Sequence, residues 1–174
     1  MTEAKKEIRV KAKSLKTGGI LDDQEQWWNF KKNTVMSDAL ANKLREVNKG
    51  DELFPNGIFV FNISKIIDFI KHNKDKVELL EVNVRSIHTF SSLNESYINS
   101  VDISKPVILS EISPGNYNLI DGHHRLEKAR RTDRPTIMAY KLTVYQHINF
   151  LTSEAAYLSY IEYWNDKVEN YVQF

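Results

Sequence analysis

The sequence of 174 residues contains no cysteine. This absence excludes a disulfide scaffold, thiolate metal sites and a thiol nucleophile. Uncharged apolar runs of about 18 residues, which would predict a membrane span, are also absent. The basic N-terminus has no apolar segment behind it, so we expect no signal peptide. The sequence has 24 Lys and Arg and 23 Asp and Glu, so it lacks the large positive net charge of a protein that coats DNA. We therefore expect a cytoplasmic protein without membrane contact.

The composition, 41% hydrophobic and 27% charged, is sufficient for one ordinary core. We divide the chain into an N-terminal part, 1–57, a central domain, 58–150, and a C-terminal helix, 151–174, packed on that domain. Residues 1–17 carry six Lys and Arg against two Glu. This basic leader is interpreted as a solvated tail, with a phosphate-attracting arm as the alternative.

The periodicity of apolar residues predicts an α/β (α+β) fold: a small mixed sheet with flanking helices, a helical N-terminal extension and a C-terminal helix. The aromatic group Trp27, Trp28 and Phe30 is interpreted as a core cap, in preference to a base-stacking platform. Helices are predicted from Ser37 to Gly50, from the Asn62 cap to His72, within 91–101, over 124–132 and from Thr152 onward. Strands are predicted at 58–61, 77–87, 106–109, 117–120 and 135–140, with turns at 54–57 and 113–116.

The segment Asp121-Gly122-His123-His124-Arg125 carries the chemistry of this sequence. It follows a predicted strand and opens a predicted helix, whose free N–H groups favour an anion. Gly122 permits a tight bend, and the Arg125 guanidinium suits phosphate oxygens. The imidazoles of His123 and His124 can donate or relay protons, while Asp121 can accept a proton, orient a histidine or help to hold a divalent cation. The pattern predicts a phosphate pocket with acid–base capacity.

The alternative is an ordinary helix start, with Asp121 as the N-cap and both histidines on the surface. A metal site made of His123 and His124 has less support, because adjacent residues do not converge on one ion without distant ligands. We predict no metal site built by the protein alone.

The order strand, turn, strand, Asp-Gly-His-His-Arg-Leu-Glu-Lys-Ala, Arg-Pro-Thr-Ile and strand resembles the ParB/sulfiredoxin superfamily. The resemblance covers residues 77–142, or 58–142 if the first predicted strand and helix belong to it. Ala129 fits the position at which the superfamily has a small residue packed on the sheet. Sulfiredoxins place their catalytic cysteine at the position of His123, so sulfinic acid repair is excluded. ParB partition proteins have Gly-Glu-Arg-Arg and a following DNA reader, for which the remaining residues are too few.

The motif itself is similar to that of the free serine kinase branch, whose members transfer phosphate from a nucleotide to L-serine. The resemblance implies that Gly122, His123, His124 and Arg125 cradle the phosphates of a nucleotide (ATP, ADP or CTP) with magnesium. It also implies that Asp121 and His124 support transfer to a small hydroxyl-bearing substrate. That branch uses a glutamate where this chain has Thr89, which cannot act as a base at neutral pH. Glu81 and Glu95 are possible substitutes.

Three hypotheses follow, of which an enzyme ranks first: a nucleotide-dependent phosphotransferase or nucleotide hydrolase using Asp121–Arg125. The second is a nucleic-acid-associated regulatory or nuclease-like module, in which the 125–134 helix contacts phosphates; DNA binding is not favoured. The third is a non-catalytic interaction module, with the acidic, aromatic C-terminal helix as its contact surface.

Overall fold

The computed structural model describes residues 44–57, 59–88, 92–113 and 115–171. Several predictions concern residues outside these ranges: the basic leader, the aromatic group Trp27, Trp28 and Phe30, and Thr89. The helix predicted from Ser37 to Gly50 begins outside them, and the prediction is wrong for residues 44–50, which are irregular and end in a turn.

The first two strands form an antiparallel ribbon. Strand β1 (Leu53–Asn56) pairs with β2 (Phe59–Asn62), and Gly57 takes a positive φ of 65° between them. The turn predicted at 54–57 is therefore wrong for its first three residues. Pro55 is compatible with a strand here because a two-stranded ribbon has only edge strands, where a missing N–H donor is tolerated.

Helix α1 (Ile63–His72) follows β2 directly, as predicted. The Asn62 side chain caps it by accepting from the Lys65 N–H at 3.1 Å. Ile63, Ile66 and Ile70 are buried on one face, so the helical spacing of these isoleucines holds α1 against the core.

A four-stranded sheet forms the centre of the fold, and it confirms the predicted mixed α+β class. Its strands are β3 (Glu78–Asn83), β4 (Val107–Ser113), β5 (Asn116–Asp121) and β6 (Thr136–Leu142). Their order is β3-β6-β4-β5, with β4 and β6 parallel and the other neighbours antiparallel. All of β4 is buried.

Two short helical segments and one longer helix connect these strands. A 3-10 turn (Val84–Ser86) ends β3, and helix α2 (Glu95–Ile98) precedes β4. Helix α3 (His123–Arg131) links β5 to β6, with Leu126 and Ala129 fully buried. Ala129 thus occupies a position that leaves no room for a larger side chain.

After β6 the structure has helix α4 (Val144–His147), a 3-10 turn (Ile148–Phe150) and helix α5 (Glu154–Tyr171). On α5, Tyr160 and Trp164 are fully buried. The Tyr160 hydroxyl donates to the Glu111 carbonyl of β4 at 2.5 Å, so this helix folds back on the sheet. None of the helices in the described ranges has the length and apolar character needed to cross a bilayer.

Candidate functional site

The chain bends at Gly122, between the end of β5 and the start of α3. Its φ of +97° lies in the left-handed region, which favours glycine. A Cβ at this position would lie 2.6 Å from the Val107 Cγ1 atom and 2.8 Å from the Arg125 Nη2 atom. Glycine is therefore required both for the bend and for the close approach of the Arg125 guanidinium.

Helix α3 begins without a side-chain cap. Gly122 is the N-cap residue, and the Leu126 N–H donates to its carbonyl at 2.9 Å. The preceding N–H groups, those of His123, His124 and Arg125, receive no side-chain cap. The alternative in which Asp121 caps the helix is therefore wrong, since Asp121 is the last residue of β5. An uncapped helix start favours an anionic ligand.

Asp121 and Arg125 form an ion pair beside this helix start. The Arg125 Nη2 atom donates to the Asp121 Oδ2 atom at 2.8 Å, and the two side chains are 19% and 23% exposed. The buried Arg125 Nε–H has no acceptor among the described residues. The guanidinium is thus held in place by Asp121, with one buried donor unsatisfied.

His124 is anchored to the segment before α2. The Asn94 backbone N–H donates to the His124 Nε2 atom at 3.0 Å, and the Tyr97 ring lies edge-on with centroids 6.2 Å apart. Because Nε2 accepts, the neutral imidazole carries its proton on Nδ1. His124 was predicted as a catalytic and phosphate-binding residue, and this geometry makes Nδ1 the atom that can face a ligand as a donor.

His123 packs against the β1–β2 ribbon. Its ring lies 4.9 Å from the Phe54 ring, centroid to centroid. Burial lowers the pKa of His123; the Asp121 carboxylate opposes this shift and His124 adds to it. His123 is therefore neutral at pH 7 and can donate one hydrogen bond without carrying a charge.

All five residues from Asp121 to Arg125 line one cavity of about 400 Å³, named here the turn cavity. Its other lining residues are Glu52, Phe54, Ser92, Val101 and Ile120. The volume lies within the range of about 300–1,000 Å³ that is usual for small-molecule sites. The structure thus brings together every residue that the motif predicted.

Sequence reasoning missed Glu52. Its backbone N–H donates to the Ser64 Oγ atom at 2.8 Å, and its carbonyl accepts from the Ile63 N–H at 2.8 Å. These bonds fix the backbone of Glu52 at the edge of the turn cavity. Within the described residues its carboxylate has no hydrogen-bonding partner. No local sequence pattern signals this residue, because the ribbon that positions it is remote from the motif.

The two glutamates proposed as substitutes for the missing base lie elsewhere. Glu81 is on β3, at the opposite edge of the sheet from β5, where it accepts from the Thr136 hydroxyl at 3.2 Å. Glu95 forms a two-point ion pair with Arg131 at 2.7 and 3.0 Å, which lowers the pKa of its carboxyl. Neither lines the turn cavity.

Several cationic side chains on α3 are used inside the protein. Lys128 donates to the carbonyls of Asn99 and Val101, each at 2.8 Å. Arg130 donates to the Ile87 carbonyl, and Arg131 is engaged with Glu95. These contacts position loops around the site, and they leave fewer cations on this helix for nucleic-acid phosphates.

In the part of the chain that the structure describes, no group of three or more His, Asp or Glu side chains could hold a metal ion. No family model matches the chain, and no match is found among the curated proteins or the solved structures.

Proposed function

We propose that this chain is a nucleotide-dependent phosphotransferase of ParB/sulfiredoxin type, with the turn cavity as its active site. The observation that carries the proposal is the convergence of Asp121, Gly122, His123, His124 and Arg125 on one cavity above an uncapped helix start. The likeness of the motif to that of free serine kinases supports the same reading.

The phosphates of the nucleotide bind at the start of α3. The N–H groups of the first turn and the Arg125 guanidinium supply donors to phosphate oxygens. His123 and the Nδ1–H of His124 add neutral donors. Phosphoryl transfer depends mainly on positioning and on electrostatic stabilisation, which these groups provide.

Glu52 is the general base in this proposal. The Asp121 carboxylate already accepts from Arg125, whereas the Glu52 carboxylate has no partner among the described residues. Glu52 removes the proton from the acceptor hydroxyl as its oxygen bonds to the terminal phosphorus. The bond from that phosphorus to the bridging oxygen breaks, and its electron pair leaves with the nucleoside diphosphate. Asp121 holds Arg125 in place, and His124 orients the segment at Asn94.

Magnesium fits this site only together with the nucleotide. Mg²⁺ in such enzymes is bound by one or two carboxylates and by substrate phosphates. Asp121 lines the cavity and would hold the ion, while Glu52 serves as the base. When bound, the ion would neutralise phosphate charge. Glu52 also supplies a carboxylate in a chain that has Thr89 where the kinase branch has glutamate.

The two other hypotheses have less support. A nucleic-acid module needs free cations on α3, but Lys128, Arg130 and Arg131 contact acceptors of the protein itself. An interaction module that uses the C-terminal helix needs its aromatic side chains exposed, whereas Tyr160 and Trp164 are fully buried.

The test is binding of ATP, ADP, CTP and inorganic tripolyphosphate, each with and without Mg²⁺, by calorimetry and thermal shift. A ligand at a hundredfold excess over its Kd stabilises the folded state by about 2.7 kcal/mol. We expect binding to be lost in Arg125→Ala and retained in Arg134→Ala, which removes an exposed cation outside the cavity. Arg125→Lys keeps the positive charge beside Asp121. If this variant is folded, binding by it shows whether the loss of binding in Arg125→Ala comes from misfolding or from the missing side chain. The absence of binding by every compound to the unaltered chain would refute the proposal.

A further inference from the structure

A second cavity, of about 440 Å³, shares Asp121 and Arg125 with the turn cavity. We name it the lysine cleft, because Lys71, Lys74 and Lys105 line it. The Asp121–Arg125 pair is thus the wall between two cavities, and a ligand that passes over this pair would occupy both.

The charge of the lysine cleft is strongly positive. Lys71 lies in the last turn of α1, Lys74 follows that helix, and Lys105 precedes β4. With Arg125 they place four cations around the single carboxylate of Asp121. The three lysine side chains are exposed. None forms a hydrogen bond or a close ion pair with the described residues, and Lys105 interacts with the Asp102 carboxylate only at longer range. Such a surplus of cations from separate elements favours an anionic ligand.

The floor of the lysine cleft is apolar. Ile70 and Ile108 are 4% and 3% exposed, and Ile67, Pro106 and Tyr140 complete the lining. Cavities that combine an apolar floor with a few charged groups at the rim are typical of sites for small organic molecules. Inorganic ions alone would leave this apolar surface in contact with water.

We propose that the lysine cleft binds the acceptor substrate, and that this substrate is a small organic acid. Its phosphate or carboxylate group lies at Lys71, Lys74 and Lys105, its apolar part lies on the floor, and its hydroxyl extends over the Asp121–Arg125 pair into the turn cavity. This inference rests on the proposed function, since it names the class of molecule that accepts the phosphoryl group.

The experiment is an NMR titration of the full chain with three probes of similar length: pentyl phosphate, hexanoate and hexanol. We expect the two anions to bind, to shift the amide signals of Ile70, Lys105 and Ile108, and to outcompete the alcohol. The anion with the lower Kd identifies the charged group of the natural acceptor, phosphate or carboxylate. Binding must persist when tripolyphosphate saturates the turn cavity.

The variant pair Lys74→Gln/Lys105→Gln should weaken anion binding roughly ten-fold, since two exposed ion pairs with the ligand are lost. The matched control is Lys49→Gln/Lys76→Gln, which removes the same charge from exposed positions outside the cleft and should leave binding unchanged. Equal weakening by both pairs would overturn the inference, because it would reveal a general charge effect.

Two further outcomes separate this inference from the proposed function. If tripolyphosphate binds through Arg125 and displaces the organic anions, the lysines belong to the polyphosphate site and the acceptor assignment is wrong, while the proposed function stands. If tripolyphosphate and nucleotides fail to bind but the organic anions do, the phosphotransferase proposal fails, and the cleft is an acid-binding site without the acceptor role.

Discussion

The Arg125 guanidinium bonds to the Asp121 carboxylate at 2.8 Å, four residues earlier in the chain, where β5 gives way to α3. Both side chains are largely buried, so this pair is less screened by water than an ion pair on the open surface. Its position between the turn cavity and the lysine cleft means that any displacement of Arg125 changes both cavities together.

Gly122→Ala should destabilise the protein and abolish nucleotide binding. The new Cβ would lie 2.6 Å from the Val107 Cγ1 atom at a φ of +97°, so we expect a cost of about 3 kcal/mol from backbone strain and overpacking. Gly50→Ala is the matched control, because Gly50 has a φ of +91° with no atom within 4 Å of the added Cβ. It should cost about 1 kcal/mol and leave binding intact. Urea denaturation measures both costs; equal values would show that the contacts at Gly122 are unimportant.

Glu52→Gln should abolish transfer and preserve nucleotide binding. Loss of a general base lowers kcat by roughly 100-fold or more, whereas the donors that hold the phosphates remain. Glu81→Gln makes the same change on the far edge strand, β3, and should leave kcat unaltered. The measurement is turnover with an accepted hydroxyl acid, beside the Kd of the nucleotide. Full turnover by Glu52→Gln would assign the base to another residue.

Acidification should weaken the fold through His147. This fully buried residue lies 2.7 Å, Nε2 to oxygen, from the Glu111 carbonyl, and burial lowers its pKa from 6.5 to about 4. In the unfolded chain this histidine is protonated below about pH 6.5, whereas in the folded chain it stays neutral down to about pH 4. The free energy of unfolding therefore decreases as the pH falls from 6.5 to 4. Full protonation costs about 3 kcal/mol.

His147→Gln removes this titration. Its free energy of unfolding should therefore depend less on pH than that of the unaltered chain when urea curves at pH 7.5 and pH 5 are compared. The difference between the two proteins should shrink by about 2 kcal/mol at the lower pH. His72→Gln, at an exposed histidine, should follow the unaltered chain. Parallel curves for His147→Gln and the unaltered chain would contradict the assignment.

Tyr160→Phe should cost about 1 kcal/mol, the net value of a buried hydrogen bond. The Tyr160 hydroxyl donates to the Glu111 carbonyl, and burial raises the pKa of this phenol well above its ordinary value, so it stays protonated as a donor. Tyr157 lies on the same helix at 4% exposure, and its hydroxyl has no partner among the described residues. Tyr157→Phe should therefore be nearly neutral. Similar losses in the two variants, measured by thermal unfolding, would exclude a role for the hydrogen bond.

Most of the central fold could be predicted because its signals are local. Asn62 precedes isoleucines at helical spacing, and the structure places an N-cap and a buried face there. The strands on either side of the 113–116 turn were found from their apolar runs. The strand at Phe54 was missed because Pro55, Asn56 and Gly57 are typical turn residues, and only pairing with β2 makes this segment extended.

The candidate site divides in the same way. The turn from Asp121 to Arg125 was visible in the sequence because its residues are contiguous and their chemistry is shared. The carboxylate of Glu52 and the cations Lys71 and Lys105 come from separate elements, and only the packing of those elements brings them to the same turn. Their spacing along the chain reflects no helical or strand period, so no pattern could have identified them.

Because Phe54 contacts His123, any fragment of this protein that is meant to retain the site must include the β1 strand. A fragment starting at residue 59 would retain every strand of the central sheet and all of the Asp-Gly-His-His-Arg turn. It would lack Glu52, Phe54 and the ribbon partner of β2, and His123 would lose its aromatic cover. Such a fragment would keep the recognisable signature while losing one side of its active site.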